Sequence, residues 1–197
     1  MRFAQRALSL VLPAGLVVRA TPDIVLIRYL PSGAPDPAFS GDGVRRTNLG
    51  GEERATAAGL QTDGKIVIAG SVGANAAQDF AIVSYKPSGG MDRTFAGGGI
   101  RVTDTSRLAL GDAAEIVAIQ PDGRIVVAGD VAAPSASPDT GRVEGLDRSF
   151  SGNGKAVANT GDPADASDLA VQTDGKLVVV GSVALDRNEL GAFRFLG

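Results

Sequence analysis

One ten-residue stretch occurs three times, and it constrains the fold more than any property of the whole chain. It reads QTDGKIVIAG at 61–70, QPDGRIVVAG at 120–129 and QTDGKLVVVG at 172–181. Each copy has an apolar run before its Gln, then Asp-Gly, one Lys or Arg, a second apolar run and a closing Gly. Asp-Gly between apolar runs predicts a β-hairpin, because a type I′ turn needs positive φ at both central residues and Asp and Gly tolerate it. The unit of this chain is therefore a hairpin, stated three times.

Three further elements recur around it. A run of apolar side chains opens on an acid and ends in Arg or Ser and an aromatic: DIVLIRY (23–29), DFAIVSY (79–85) and ELGAFRF (189–195). That pattern reads as a strand with at least one buried face. Pro-Ser-Gly turns follow the first two copies at 31–33 and 87–89. A turn box comes next: DPAFSGDG (36–43), DRTFAGGG (92–99) and DRSFSGNG (147–154), with its Asp residues 56 and 55 positions apart. Short strands close the set: VRRTNL (44–49), IRVTDT (100–105) and KAVANT (155–160). A period near 55 with variable loops marks repeated supersecondary units.

The hairpins' second strands carry unbroken apolar cores, Ile66–Ala69, Ile125–Ala128 and Leu177–Val180. Strands without alternation are covered on both faces, so these sit inside a stack of sheets. One copy is damaged. Gly129 and Asp147 are 18 positions apart, against 22 for Gly70 and Asp92, and Pro134 and Pro138 fall where a strand should run. That unit is expected to lack most of one strand.

The reading is all-β, with tandem four-stranded antiparallel blades in a β-propeller-like partial ring of about three to four blades. Phe39, Phe95 and Phe150 are expected as wedges between neighbouring blades. The D-x-x-F-x-G-x-G box, the Q-x-D-G hairpin and the D-[FI]-x-x-[IV]-x-Y strand together resemble the delta-60 repeat, a bacterial β-propeller-like domain of unknown function. The resemblance covers roughly 23–197. It implies a bacterial protein that is secreted or at the cell surface, and it carries over no catalytic or binding residues.

Residues 23–197 read as one repeat domain, with repeats at about 23–78, 79–140 and 141–197. Residues 1–22 have two readings. Arg2 and Arg6, the apolar run Ala7–Val18 and Val18-Arg19-Ala20 resemble a signal peptide. Alternatively, LPAGLVVRA at 12–20 is a decayed copy of the hairpin. The run is too short and broken for a transmembrane helix.

Three units are few for a closed propeller. A fourth blade completed by the N-terminal remnant, a homodimer completing one ring, or membership of a longer array would each cover the bare end faces.

Composition removes much chemistry. With no Cys and no His, the chain has no disulfide, thiolate metal site, Ser-His triad or imidazole base. A formal net charge of −3 without a basic patch argues against nucleic acid. No catalytic residue, metal or cofactor is expected. Asp36 with Asp42, or Asp147 with Asn153, lacks calcium-loop spacing and reads as turn chemistry. Lys65, Arg124 and Lys176 form a repeated cation after the turn. Asn48, Asp104 and Asn159 recur at the end of the short strand in all three copies, where they cap strands or present a polar binding row.

The expected function is a non-enzymatic scaffold contacting other proteins or a cell-surface polymer. The alternatives are a propeller-rim lyase or hydrolase, whose acids would be Glu52-Glu53 or Glu144 with Asp147, and a truncated piece of a longer array.

Overall fold

Runs of β-branched residues broken by Gly, Pro and Asp favour strands, and the described elements are all strands. The computed structural model describes residues 10–12, 16–20, 23–74, 77–103, 113–132, 149–150, 155–158, 164–183 and 188–195. The first sheet is β1 (Leu10–Leu12), β2 (Leu16–Ala20), β3 (Ile24–Arg28) and β4 (Val44–Thr47), in that order. The second is β5 (Glu52–Leu60), β6 (Ile66–Ala74), β7 (Ala77–Tyr85) and β8 (Ile100–Thr103), again in chain order. Then come β9 (Ala113–Ile119), β10 (Ile125–Ala132), β11 (Lys155–Ala158), β12 (Ala164–Val171), β13 (Leu177–Val183) and β14 (Asn188–Phe195).

The last six strands do not follow chain order. The third sheet runs β11-β14-β10-β9, and β12 and β13 stand as a two-stranded sheet. The strand expected to be lacking after Gly129 falls at 133–148, outside the described residues, and the place beside β10 is taken by β14. Its register repeats that of β7. Ile66 pairs with Tyr85 and Val83 with Ile100; Ile125 pairs with Phe195 and Phe193 with Lys155. The acid-to-aromatic pattern shared by DFAIVSY and ELGAFRF explains why β14 fits. The buried backbone of β10 needs a hydrogen-bonding neighbour on that side.

All three hairpins share two features. The first corrects the expected turn. Gly64, Gly123 and Gly175 have positive φ, whereas Asp63, Asp122 and Asp174 do not. Gly64 N donates to Gln61 O at 2.9 Å and Gln61 N to Lys65 O at 2.9 Å. This is a three-residue loop, a type I turn closed by a left-handed Gly, rather than type I′. The Asp instead accepts the backbone N–H two residues on, as Asp63 Oδ1 does from Lys65 at 3.1 Å.

The second feature is a β-bulge in the first strand of each hairpin, at Thr56, Glu115 and Ser167. Each bulge lies beside the closing Gly of the motif, since Gly70 pairs with Ala55, Gly129 with Ala114 and Gly181 with Ala166. A Cβ on Gly70 would stand 1.8 Å from Arg54 O, and one on Gly129 would stand 2.0 Å from Ala113 O.

The sheets stack in order through two apolar layers. Ile24, Leu26 and Phe39 of the first sheet meet Ala55, Ile66, Ile68, Val83 and Tyr85 of the second. Val67, Ala69, Phe80, Ile82 and Phe95 of the second meet Ala114, Ile125 and Val127 of the third. Alternate residues of β6 therefore face opposite neighbours, as the unbroken apolar run predicts. Phe39 and Phe95 are buried in these layers as expected wedges; Phe150 is half-buried. The series is not closed into a ring, and β13 departs from expectation. Val178 and Val180, at the positions of Val67 and Ala69, are 43% and 57% exposed. Among the described residues, no helix is long and apolar enough to cross a membrane.

Between the first two sheets the Tyr85 hydroxyl donates to Thr47 Oγ1 at 2.7 Å, and burial pushes the phenol up to about 12. Thr103 holds the same place in the second sheet as Thr47 in the first, yet its buried Oγ1 has no hydrogen-bond partner among the described residues. By register, Phe195 stands opposite Ile125 as Tyr85 stands opposite Ile66, and phenylalanine has no hydroxyl. Phe195→Tyr is expected to supply the missing donor and stabilise the chain by about 1 kcal/mol, a melting-temperature rise of roughly 2–4 °C. A thermal melt that is unchanged or lowered would contradict this pairing.

Candidate functional site

The three hairpin turns form one continuous rim. The link is the Gln that opens each motif: Gln61 Nε2 donates to Gly123 O at 3.0 Å, and Gln120 Nε2 to Gly175 O at 3.4 Å. The first two turns are therefore each tied to the carbonyl of the next turn's Gly. The sequence shows this Gln in all three copies, but only the stacking reveals that it points sideways, between units. Thr56 makes a parallel link, its bulged hydroxyl donating to the Ala114 carbonyl of the third sheet.

Along this rim sit three opposite-charge pairs: Lys65 with Asp63 at 3.3 Å, Arg124 with Asp122, and Lys176 with Asp174 at 2.6 Å. Stacked sheets lie roughly 10 Å apart, so the pairs recur at about that interval. Asp63 first, then Asp92, hold the Lys65 ammonium above the ordinary lysine value. Lys176, through its ammonium and then its amide, holds Asp174 below the ordinary carboxylate value. The Lys65 and Asp174 charges therefore persist across neutral pH.

The turn boxes carry their own ion pairs, and the second reaches the rim through Lys65. Arg28 Nε meets Asp36 Oδ2 at 2.7 Å, its guanidinium lies 4.9 Å over the Phe39 ring, and Nη1 donates to Pro87 O at 2.6 Å. In the second box, Ser84 replaces that arginine. Asp92 accepts from Ser84 Oγ at 3.3 Å and Thr94 Oγ1 at 2.6 Å, and meets Lys65 Nζ at 3.3 Å. Burial alone would raise the Asp92 carboxyl; Thr94 and then Lys65 outweigh it and hold it below the usual range. A cation supplied by one strand in the first box comes from the hairpin turn in the second.

Of the polar row read from the sequence, Asn48 is described; Asp104 and Asn159 lie outside the described residues. Asn48 is exposed. It donates from Nδ2 to Asp23 Oδ1 at 2.7 Å and accepts Gly50 N at 2.8 Å, which ties the end of β4 to the start of β3. Glu52 is exposed and Glu53 buried, on opposite faces of β5. Glu53 Oε1 accepts the amides of Leu49 at 2.9 Å and Gly51 at 3.0 Å, shaping the loop before its strand. The two acids are therefore not on one face. Glu144, Asp147 and Asn153 lie outside the described residues. Asp42 Oδ1 accepts Val44 N at 2.8 Å, an ordinary turn bond. Among the described residues, no group of three or more acids could hold a metal ion.

A search of curated proteins finds no match. A family model described as a domain of unknown function (DUF5122) beta-propeller matches residues 61–95 and 120–141. The first match starts at Gln61 and ends at Phe95, the wedge between the second and third sheets. The second starts at the corresponding Gln120 and ends at residue 141, outside the described residues. Over those two stretches the chain is similar to a propeller-type repeat family whose function is unknown.

Proposed function

We propose that the chain is a non-enzymatic β-propeller-like scaffold of the delta-60 type, and that it contacts a protein or cell-surface polymer through the rim of hairpin turns, outside the cell or at its surface. One observation supports this reading: three Asp–cation pairs stand at the same register of three consecutive turns, joined laterally by Gln61 and Gln120. A rigid row of alternating charge suits an extended partner that repeats its own polar groups at a similar interval. Single exposed pairs contribute little by themselves, so affinity would come from their repetition.

Titration calorimetry against a panel of peptides and surface polysaccharides tests the reading. A ligand is expected whose affinity falls about fivefold in Lys176→Glu, the equivalent of roughly 1 kcal/mol, with an unchanged melting temperature. Silence across the panel, or binding indifferent to this reversal and to salt, would count against it.

A further inference from the structure

We propose that β13 is the edge through which two copies of this chain associate, its strands pairing antiparallel about a two-fold axis. Unpaired edge strands template association unless they are short, charged or bulged. The edges β4 (VRRT), β5 (EERATAAGL), β8 (IRVT), β9 (AAEIVAI), β11 (KAVA) and β12 (ADASDLAV) each carry at least one charged residue, and β1 spans three residues. β13 reads LVVVGSV, seven residues with neither charge nor proline. Among the described residues its outer edge has no strand partner.

The reason for the vacancy lies in the displaced strand. In the second sheet, β7 follows β6 and pairs with it. β14 follows β13 in the chain but pairs with β10 and β11 instead. Among the described residues, each chain therefore has one strand of this type for two places, beside β10 and beside β13. A second copy cannot lend its own β14 without opening its own third sheet. Two copies can, however, pair their vacant edges with each other. The product is a sheet of order β12-β13-β13-β12, which has the four strands of the other three sheets.

The sequence is self-complementary in that arrangement. Centring the axis on Val180 sets Val178 opposite Ser182, Val179 opposite Gly181 and Leu177 opposite Val183, with no like charges facing across the pair. Val180, 57% exposed in the single chain, then meets its own mate as a cross-strand neighbour. The inference is independent of what the rim of turns binds, and its failure leaves that reading standing.

Light scattering coupled to size exclusion is the test, on the whole chain. The wild type is expected at twice the chain mass. Val180→Lys, which places like charges opposite each other, is expected to weaken the dimer at least about tenfold. Val102→Lys, at a comparably exposed site on β8, is expected to leave the dimer intact. Because the chain has no cysteine, Val180→Cys should give a covalent dimer under mild oxidation. Directly opposite residues have Cα atoms about 4.5–5.5 Å apart, within disulfide reach. The cross-link decides the matter should the lysine variant fail to fold. A monomeric wild type, a dimer that survives Val180→Lys, or one dissolved by Val102→Lys instead would overturn the proposal.

Discussion

Replacing Gly70 or Gly129 with alanine is expected to destabilise the chain by about 3 kcal/mol or more, lowering the melting temperature by roughly 6–12 °C. The added Cβ would sit 1.8 Å from Arg54 O or 2.0 Å from Ala113 O, far inside any tolerated approach. Both obstacles are backbone carbonyls on the bulged partner strand, so no rotamer change relieves the clash. Either the bulge flattens or the hairpin parts. Flattening would also move Thr56 and break its bond to the next sheet. Gly98→Ala is the control, since its Cβ would meet nothing within 4 Å and its φ is ordinary; it should be neutral or slightly stabilising. Urea midpoints for the three variants measure this. A loss below about 1 kcal/mol in Gly70→Ala would mean that the bulge is not held as described.

The role of that glycine shows where sequence reasoning stops. Its recurrence at 70, 129 and 181 is plain in the chain, but recurrence does not distinguish a turn requirement from a crowded approach. Only the two-against-one pairing at Thr56, Glu115 and Ser167 supplies the reason. The hairpin turn was located from Asp-Gly, yet its type depends on one backbone angle at Asp63 that the residue type leaves open. Asp tolerates positive φ without needing it, and Gly64 alone adopts it.

Local pattern was legible because each repeat states the same periodicity three times. The stacking order, the burial on both faces of Ile66–Ala69 and the wedges at Phe39 and Phe95 follow from that. The address of β14 was not legible. ELGAFRF carries the pattern of DFAIVSY, which fixes the kind of strand it forms but not which neighbour takes it. β14 pairs with β10 although it follows β13 in the chain, and the repeat pattern alone does not distinguish those two places. The rim suffers from the same limitation. Lys65, Arg124 and Lys176 are visible as a row in sequence, whereas the sideways bonds of Gln61 and Gln120 exist only once sheets are stacked. Asn48 was visible too, and its bonds to Asp23 and Gly50 give it a local role in joining two strands.

Truncating Phe39 to alanine is expected to have the largest effect of any side-chain change, about 3–5 kcal/mol. The ring is fully buried, and it joins the first two sheets in several ways. It packs with Ile24 and Leu26 on one side and Ile66, Ile68 and Tyr85 on the other. Its edge fills the space beside Gly89, where a Cβ would approach it to 3.0 Å. Arg28 lies across its face while bonding to Pro87 O, and Ser40 N donates to Ser88 O at 2.8 Å. Removing the ring leaves a cavity under all of these contacts, and the charged Arg28 loses its apolar support. Phe39→Leu should recover more than half of the loss, because volume rather than aromaticity carries most of the burial. Stacked repeats contact only their neighbours, so the damage should stay local. Hydrogen exchange in Phe39→Ala should show β3, β4 and β5 losing protection before β9 and β10. Uniform loss across all strands would instead mean that the stack melts as one unit, and that its stability is not divisible at the wedges.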